Sequence, residues 1–275
     1  MLDYRGEYTG ARVVVTGAAG VFGTWLAEAF AGAGADLLLS DARPDEVAAL
    51  AGRLGARHVV ADLTDDAGLR ELGAAVRDTW AAPDVLVNNA GLYPRTPIST
   101  TEPEDVRRIL DVNVTAPFEL TRQAVGAMIA AGVQGRVVNI SSGAALRPGA
   151  GGSVYAASKA AVESLTRSMA LEVAAHGIRI NAVQPGFAPG SAVSELSENH
   201  IESMRARIPL GRTSGPHDAP AAVLWLCSSE AAFVTGTTLS VDGGRTAGDF
   251  TAPTGAAPAA TAPAAAGTTA AGAAR

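Results

Sequence analysis

Tyr155 and Lys159 stand four residues apart in the run YAASK. On a helix that spacing sets both side chains on one face, a turn apart. A phenol gives up its proton at about pH 10 in water and is a poor base at neutrality. An ammonium beside it stabilises the phenolate and lowers its pKa, as a positively charged cofactor ring would. Lys159 can also donate to sugar hydroxyls while it tunes Tyr155. The same pair could equally decorate the surface of an amphipathic helix, so its weight depends on its company. Ser142 comes thirteen residues before Tyr155, just after the apolar run Arg136–Ile140, and can donate to a substrate oxygen near the tyrosine. Its neighbour Ser141 suits a backbone-capping hydroxyl. Together these groups could move a proton on or off an oxygen.

A second group of residues suits a dinucleotide. Thr16–Gly23 reads TGAAGVFG. Glycines such as Gly17 and Gly20 let a backbone turn tightly against a pyrophosphate, and the first helical residues, Val21 and Phe22, would offer it their N–H groups. Taken alone, the run could be an ordinary glycine-rich turn. Asp41 ends a second apolar run at a distance where a carboxylate can accept from both hydroxyls of an adenosine ribose, or else serve the turn before Ala-Arg-Pro-Asp. Asp62 and Leu63 follow a third run, where the carboxylate could accept from an adenine amino group. Asn88-Asn89-Ala90-Gly91 follows a fourth, and its small residues would let a ribose lie against the backbone.

The elements that must position these residues alternate. Strands are predicted at Arg12–Thr16, Asp36–Ser40, His58–Ala61, Asp84–Asn88, Arg136–Ile140, Ile178–Val183 and Thr238–Val241. Helices are predicted over Val21–Ala33, Glu46–Leu54, Ala67–Trp80, Pro103–Ala116 (running on or restarting before Met128), Ser153–His176 and Ala219–Ser228, with a looser stretch at Gly186–Ser214. Apolar strands without polar alternation are covered on both faces, and strand–helix repetition makes a single doubly wound parallel α/β sheet, a Rossmann fold. Ligands of such sheets bind beyond the carboxyl ends of the strands. The residues singled out above lie at or just after strand ends, apart from Tyr155 and Lys159 on the helix that follows the fifth strand.

With these residues in place, the chain resembles the short-chain dehydrogenase/reductase family, in the branch whose subunits run to about 250 residues. The resemblance spans Gly10 to Gly244. Nine markers occur in family order: TGAAGVFG, Asp41, DLT, NNAG, DVNV around Asn113, NISS, YAASK, the PG of Pro185-Gly186, and TGTTLSVDGG. It implies Asn113, Ser142, Tyr155 and Lys159 as the catalytic set, Asn113 bending its helix and holding a water of a proton relay to the lysine; a buried asparagine bonding nearby backbone is the plainer alternative. It implies Gly17, Gly20, Val21, Phe22, Asp41, Asp62, Leu63, Asn89, Ala90, Gly91, Tyr155, Lys159, Pro185, Gly186 and Ala188 around the cofactor. The expected reaction is hydride transfer between a nicotinamide cofactor and a secondary alcohol or ketone, with Tyr155 as general acid/base. The acid at Asp41 implies NAD, because a carboxylate would repel a 2′-phosphate. Arg43 keeps NADP open, since a guanidinium two residues on could bind that phosphate. The family also implies a homotetramer or homodimer formed through the helices before and after the NISS strand.

Two positions depart from the family pattern. Val21 stands where this branch has the middle glycine of TGxxxGxG, giving instead TGxxGxxG, the spacing of the longer branch that epimerises or dehydrates nucleotide sugars. A branched residue forced to positive φ would be costly, so a shifted turn with Gly20 at the phosphate is expected. Gly190 stands where a threonine commonly bonds the nicotinamide amide; Ser191 is the substitute next along, and Ala188 replaces the usual isoleucine or valine. Epimerisation or elimination with bound dinucleotide, and non-catalytic dinucleotide binding, are the alternatives these departures keep.

Composition excludes other classes. The 275 residues carry a net charge of -6 without a basic cluster, which gives no electrostatic footprint for nucleic acid. One cysteine, Cys227, forms no internal disulfide, and the four histidines lack metal-ligand spacing, so no metal is proposed. No signal peptide or membrane span is read, and a cytoplasmic protein is expected. The folded domain is placed at 1–246. From 247 to 275 an Ala/Gly/Thr/Pro tail lacks the apolar side chains for a core, so disorder is expected there. Tyr93, Arg95 and Phe187–Ile208 are expected to border the substrate pocket.

Overall fold

The computed structural model of the chain describes Tyr4, residues 6–190 and residues 197–250. Seven strands form one sheet: β1 Arg12–Thr16, β2 Asp36–Asp41, β3 Arg57–Val60, β4 Val85–Asn88, β5 Arg136–Ile140, β6 Arg179–Pro185 and β7 Thr238–Val241. Their order is β3-β2-β1-β4-β5-β6-β7, and every pairing is parallel. The helices are α1 Val21–Gly32, α2 Pro44–Leu54, α3 Asp66–Trp80, α4 Pro103–Leu110, α5 Ala116–Ala131, α6 Ser153–Val173, α7 Glu198–Arg205 and α8 Asp218–Cys227.

The unbroken apolar strands behave as double-sided burial requires. Val13 and Val15 point to one face, where they pack with Leu26 and Phe30 of α1, Val47 of α2 and Val223 of α8. Val14, between them, points to the other face and joins Leu72 of α3, Leu120 of α5 and Met169 of α6. Successive side chains alternate across the sheet, so a strand buried on both faces has no polar positions to spare. The chain reverses its winding between β1 and β4, which are neighbours in the sheet. That is the switch point where such folds open a crevice.

Several expected boundaries change. The helix predicted from Pro103 does not run smoothly on: α4 ends at Leu110, and Asp111–Thr115 forms a π-helical turn before α5. The looser stretch after Gly186 contains α7, started by Ser197, whose side chain accepts from the His200 N–H. Its surface is mostly polar, so no apolar run betrayed it. Residues 191–196, with Ser191, and the tail from 251 lie outside the described residues.

A polar ladder crosses the second face of the sheet. Asn88 Nδ2 donates to Thr121 Oγ1 on α5 (3.0 Å) and to Asn139 Oδ1 on β5 (2.8 Å), and Asn139 Nδ2 donates to Thr166 Oγ1 on α6 (2.9 Å). All four residues are buried. The ladder fixes β4 and β5 in register beneath the two helices. Asn139→Ala strips two buried groups of a partner and should lower unfolding stability by about 1–3 kcal/mol. Urea denaturation with an unchanged m-value checks this; a midpoint equal to wild type would show that the ladder contributes nothing.

Candidate active site

The turn from β1 into α1 is shaped by two glycines. Gly17 has φ 60°, and a Cβ there would stand 2.7 Å from the Ala90 Cα. A Cβ on Gly23 would stand 2.1 Å from the Gly17 carbonyl oxygen, closer than any real contact. Gly20 is the least constrained, with φ -74°. Val21 is simply the first residue of α1, and the one non-glycine residue with positive φ among those described is Ala81. The valine therefore costs the turn no backbone strain. The helix opens with no side-chain cap and no acidic residue in its first turn. Its leading amides, those of Val21 and Phe22, have no acceptor within the helix.

Across the crevice, Thr16 Oγ1 accepts from the N–H groups of Asn89 (3.0 Å) and Ala90 (3.1 Å). Asn89 Nδ2 donates to the carbonyls of Thr16 (3.0 Å) and Gly17 (2.9 Å). The Asn89 side chain thus holds the glycine turn, while Ala90 supplies the smooth wall against Gly17. Gly91 lies deeper, where a Cβ would come 3.4 Å from both Asn113 Oδ1 and Lys159 Nζ.

Asp41 is buried at the end of β2 and closely engaged. Its carboxylate accepts from the Ala19 N–H (3.0 Å), the Arg43 N–H (3.1 Å), Arg43 Nε (3.0 Å) and Arg43 Nη2 (3.2 Å). The hydrogen bond to Asp41 raises the guanidinium pKa further. Arg43 therefore lies on the acid. Asp62 is exposed after β3 and accepts from the Thr64 N–H at 2.9 Å, with Leu63 buried beside it.

Lys159 is 5% exposed and donates from Nζ to the Ile140 carbonyl at 2.8 Å. Burial pulls its pKa down to about 8. Nζ sits 5.9 Å from the centre of the Tyr155 ring, and Ser142 lies beside Tyr155, near enough to favour its phenolate. The Ser142 hydroxyl also accepts from the Ala144 N–H (3.1 Å), opening a short 3₁₀ turn, Gly143–Ala145. The phenol departs from the expectation. Burial raises its pKa, Ser142 works in the lowering direction, and Tyr93 adds a smaller upward push. Desolvation disfavours the phenolate, and the lysine is bonded to Ile140 rather than to the hydroxyl.

The π-helical turn carries Asn113 inward to complete burial. Its Oδ1 accepts from the Leu92 N–H (2.7 Å), and its Nδ2 donates to the Leu92 carbonyl (2.8 Å) and to Ser158 Oγ (3.0 Å). Ser158 Oγ in turn donates to the Tyr155 carbonyl at 2.7 Å. One extra residue in the helix thus links the loop after β4 to the first turn of α6. Neither Ser158 nor Glu163 was singled out from the sequence. Ser141, expected to cap backbone, reaches the Lys159 carbonyl only at 3.4 Å and donates more closely to Glu163 Oε1 at 2.6 Å, and Gln184 Nε2 donates to the same oxygen at 2.6 Å. The available signal was spacing: Glu163 stands four residues after Lys159, on the same face of α6.

After β6, Gly186 donates its N–H to the Val241 carbonyl (2.8 Å), and a Cβ there would press on Asp242 Cα at 3.1 Å. Pro185 pairs with Val241, and Ala188 is half-buried beyond it. Gly190 has φ 96°, a conformation that a threonine would adopt only under strain. The Tyr93 ring meets Tyr155 edge-on, with centroids 6.2 Å apart. A crevice beside them is lined by Pro94, Thr96, Ile109, Val154 and Tyr155. Another, between α3 and α5, touches none of these residues. Among the described residues no group of three His, Cys, Asp or Glu could hold a metal, and no helix is long and apolar enough to cross a membrane. Cys227 is buried, which pushes its thiol up to about 12.

Comparison with known proteins places this geometry. A family model described as enoyl-(acyl carrier protein) reductase matches residues 17–246. The cis-4-hydroxycyclohexanecarboxylate dehydrogenase of Sinomonas cyclohexanicum is 38% identical over 248 residues, which cover 88% of this chain and 99% of that protein. Among solved structures, a candidate NAD(P)-dependent gluconate 5-dehydrogenase from Beutenbergia cavernae, with NADP bound at low occupancy, superposes with a TM-score of 0.82 at 36% identity. That match covers 88% of this chain and all (100%) of the other. The 3-ketoacyl-(acyl-carrier-protein) reductase of Brucella melitensis, complexed with NADH, gives 0.78 at 32% identity, covering 86% of this chain and 99% of the other. The crevice at the sheet's switch point and these likenesses lead to one conclusion: the chain belongs to the short-chain dehydrogenase/reductase family and is an NAD(P)-dependent oxidoreductase.

Proposed function

We propose that the protein oxidises a secondary alcohol, or reduces the corresponding ketone, with Tyr155 as the general acid/base. The carrying observation is the meeting of Ser142, Tyr155 and the buried Lys159, whose Nζ lies 5.9 Å from the centre of the Tyr155 ring. Ser142 positions the substrate oxygen, and Tyr155 takes its proton in oxidation or returns it in reduction. Lys159 supplies positive charge from below, and Asn113, clamped to Leu92 and Ser158, keeps the loop and helix at a constant separation. A bound nicotinamide supplies the hydride chemistry and, when oxidised, further positive charge beside the phenol.

The glycine turn fits a dinucleotide, because Gly17 and Gly23 let the backbone close tightly on itself and the first N–H groups of α1 are left without a side-chain cap. Gly17, Gly20, Val21 and Phe22 would hold the pyrophosphate. Asp41 would hold the adenosine ribose, and Asp62 with Leu63 the adenine. Asn89, Ala90 and Gly91, with Tyr155 and Lys159, would line the nicotinamide ribose, and Pro185, Gly186 and Ala188 the nicotinamide. NAD is the proposed cofactor: Arg43 is committed to Asp41, so a 2′-phosphate would meet a carboxylate rather than a free guanidinium.

A homodimer or homotetramer is proposed through α5 and α6, supported by exposed Phe118 and Ile129 on the first and Leu171 on the second. A single-subunit mass by light scattering would rule that assembly out.

Absorbance at 340 nm over a panel of secondary alcohols and ketones tests the activity. Turnover with NAD should exceed that with NADP, and Tyr155→Phe should lose roughly 10²–10⁴-fold of the rate while still binding dinucleotide. Full turnover by that variant, or a strong NADP preference in the wild type, defeats the respective assignment. Lys159 gives a prediction in the opposite sense for stability. Its folded pKa, about 8, lies below the ordinary 10.5, so burying the charged form costs stability at neutral pH. Lys159→Met should therefore stabilise the fold at pH 7 by an amount on the order of 3 kcal/mol. The gain should fade as the pH rises through the window from about 8 to 10.5, where the unfolded lysine also loses its proton. A gain that does not change across that window in denaturation would contradict the burial of a charged lysine.

A further inference from the structure

Four arginines converge outside the carboxyl ends of the strands, from segments far apart in sequence. Arg95 follows β4, Arg147 follows β5, Arg207 follows α7 and Arg245 follows β7. Arg147 Nη1 donates to the Arg245 carbonyl at 3.0 Å. The Arg95 guanidinium reaches the same loop, where a Cβ on Gly149 would lie 3.9 Å from its Nη2, and the adjoining backbone is tied by the Thr96 N–H to the Gly151 carbonyl (2.9 Å). Arg245 is half-buried among them. Its pKa is lowered first by desolvation, then by repulsion from Arg207, Arg147 and Arg95, with Asp242 pulling the other way.

Two carboxylates stand against this charge. Asp242 is buried and turned to its own backbone, accepting from the N–H groups of Gly244 (3.0 Å) and Thr246 (2.8 Å). Asp249 pairs with Arg147 from a fully exposed side chain. Like charges gathered at one mouth repel unless something anionic is bound there, and they raise the local concentration of anions. The cluster also adjoins the reaction centre. Gly143, next to Ser142, lies so close to Thr246 that a Cβ would come 2.9 Å from its Cγ2. Tyr93, two residues before Arg95, meets the Tyr155 ring.

We propose that Arg95, Arg147, Arg207 and Arg245 form an anion subsite of the substrate pocket, so that the substrate is a hydroxy- or oxo-carboxylate whose carboxylate lies on the arginines while its oxygen lies on Tyr155. The inference rests on Tyr155 as the reaction centre. Asp249 on Arg147 shows the contact in miniature: a carboxylate on an arginine at the rim, which a substrate carboxylate would replace.

The test uses the full-length protein with NAD and a graded series, 3-hydroxybutanoate, 4-hydroxypentanoate and 5-hydroxyhexanoate, each with its methyl ester. The acids should be turned over with a kcat/KM at least tenfold above their esters. In Arg95→Gln and Arg147→Gln, both at exposed positions, KM for the acids should rise about tenfold, with the esters changed less than twofold. Esters used as well as acids, or variants that lose both alike, would overturn the subsite. If neither series reacts, the Tyr155 reading fails on its own, and calorimetry still decides the subsite. Binding of the acids to wild type that is lost in the Arg95→Gln/Arg147→Gln double variant supports it; equal binding, or none to wild type, overturns it.

Discussion

A lysine ammonium held out of water is the constraint on which the rest of this site depends. Lys159 has a single protein acceptor at 2.8 Å, the Ile140 carbonyl at the end of β5, and its burial is nearly complete. An ammonium in that position is tolerable only if its surroundings are rigid and polar in the right places. The surroundings supply this from three directions: the β5 carbonyl below, Asn113 and Gly91 at its side, and the Tyr155 ring above. The raised phenol pKa follows from the same burial. Desolvation disfavours the phenolate here, and Ser142 works against that effect.

That rigidity comes from backbone as much as from side chains. The π-helical turn at Asp111–Thr115 inserts one residue into what would otherwise be a continuous helix, and so directs Asn113 into the protein. From there it grips Leu92 by both its N–H and its carbonyl and reaches Ser158 on α6. On the other side of the switch point, Asn89 and Thr16 lock the glycine turn against the strand-end loop. Two asparagines, one just after β4 and one in the π-helical turn, therefore hold the two walls of one crevice. Neither can be moved without moving the loop it holds.

The fold was legible because periodicity and position agree. Apolar strands buried on both faces and glycine at the first strand end leave few other architectures for a chain of this length. The candidate site was legible where residue type and spacing coincide, as in Tyr155 and Lys159 one helical turn apart. It was less legible where a role depends on direction. Ser141 and Ser142 are adjacent and chemically alike, yet one faces Glu163 behind the helix and the other faces Tyr155. Val21 looked costly on the assumption that its position needs positive φ; in the folded turn it is an ordinary helical residue. Gly23, whose Cβ would strike the Gly17 carbonyl, is the more demanding position.

By itself the sequence determined the parallel sheet, the end of it at which the candidate site lies, and the residue types gathered there, because these follow from hydrophobic pattern and from motifs within a few residues of one another. Only the tertiary structure decided the partnerships made over long separations. It joined Asn113 to Ser158, ran a polar ladder from Thr121 to Thr166, and brought Arg95, Arg147, Arg207 and Arg245 to one rim. The physical reason is that a side chain's charge and hydrogen-bonding capacity are local properties. Which group it faces, and how much water lies between them, is set by the packing of elements that meet only when the chain has folded.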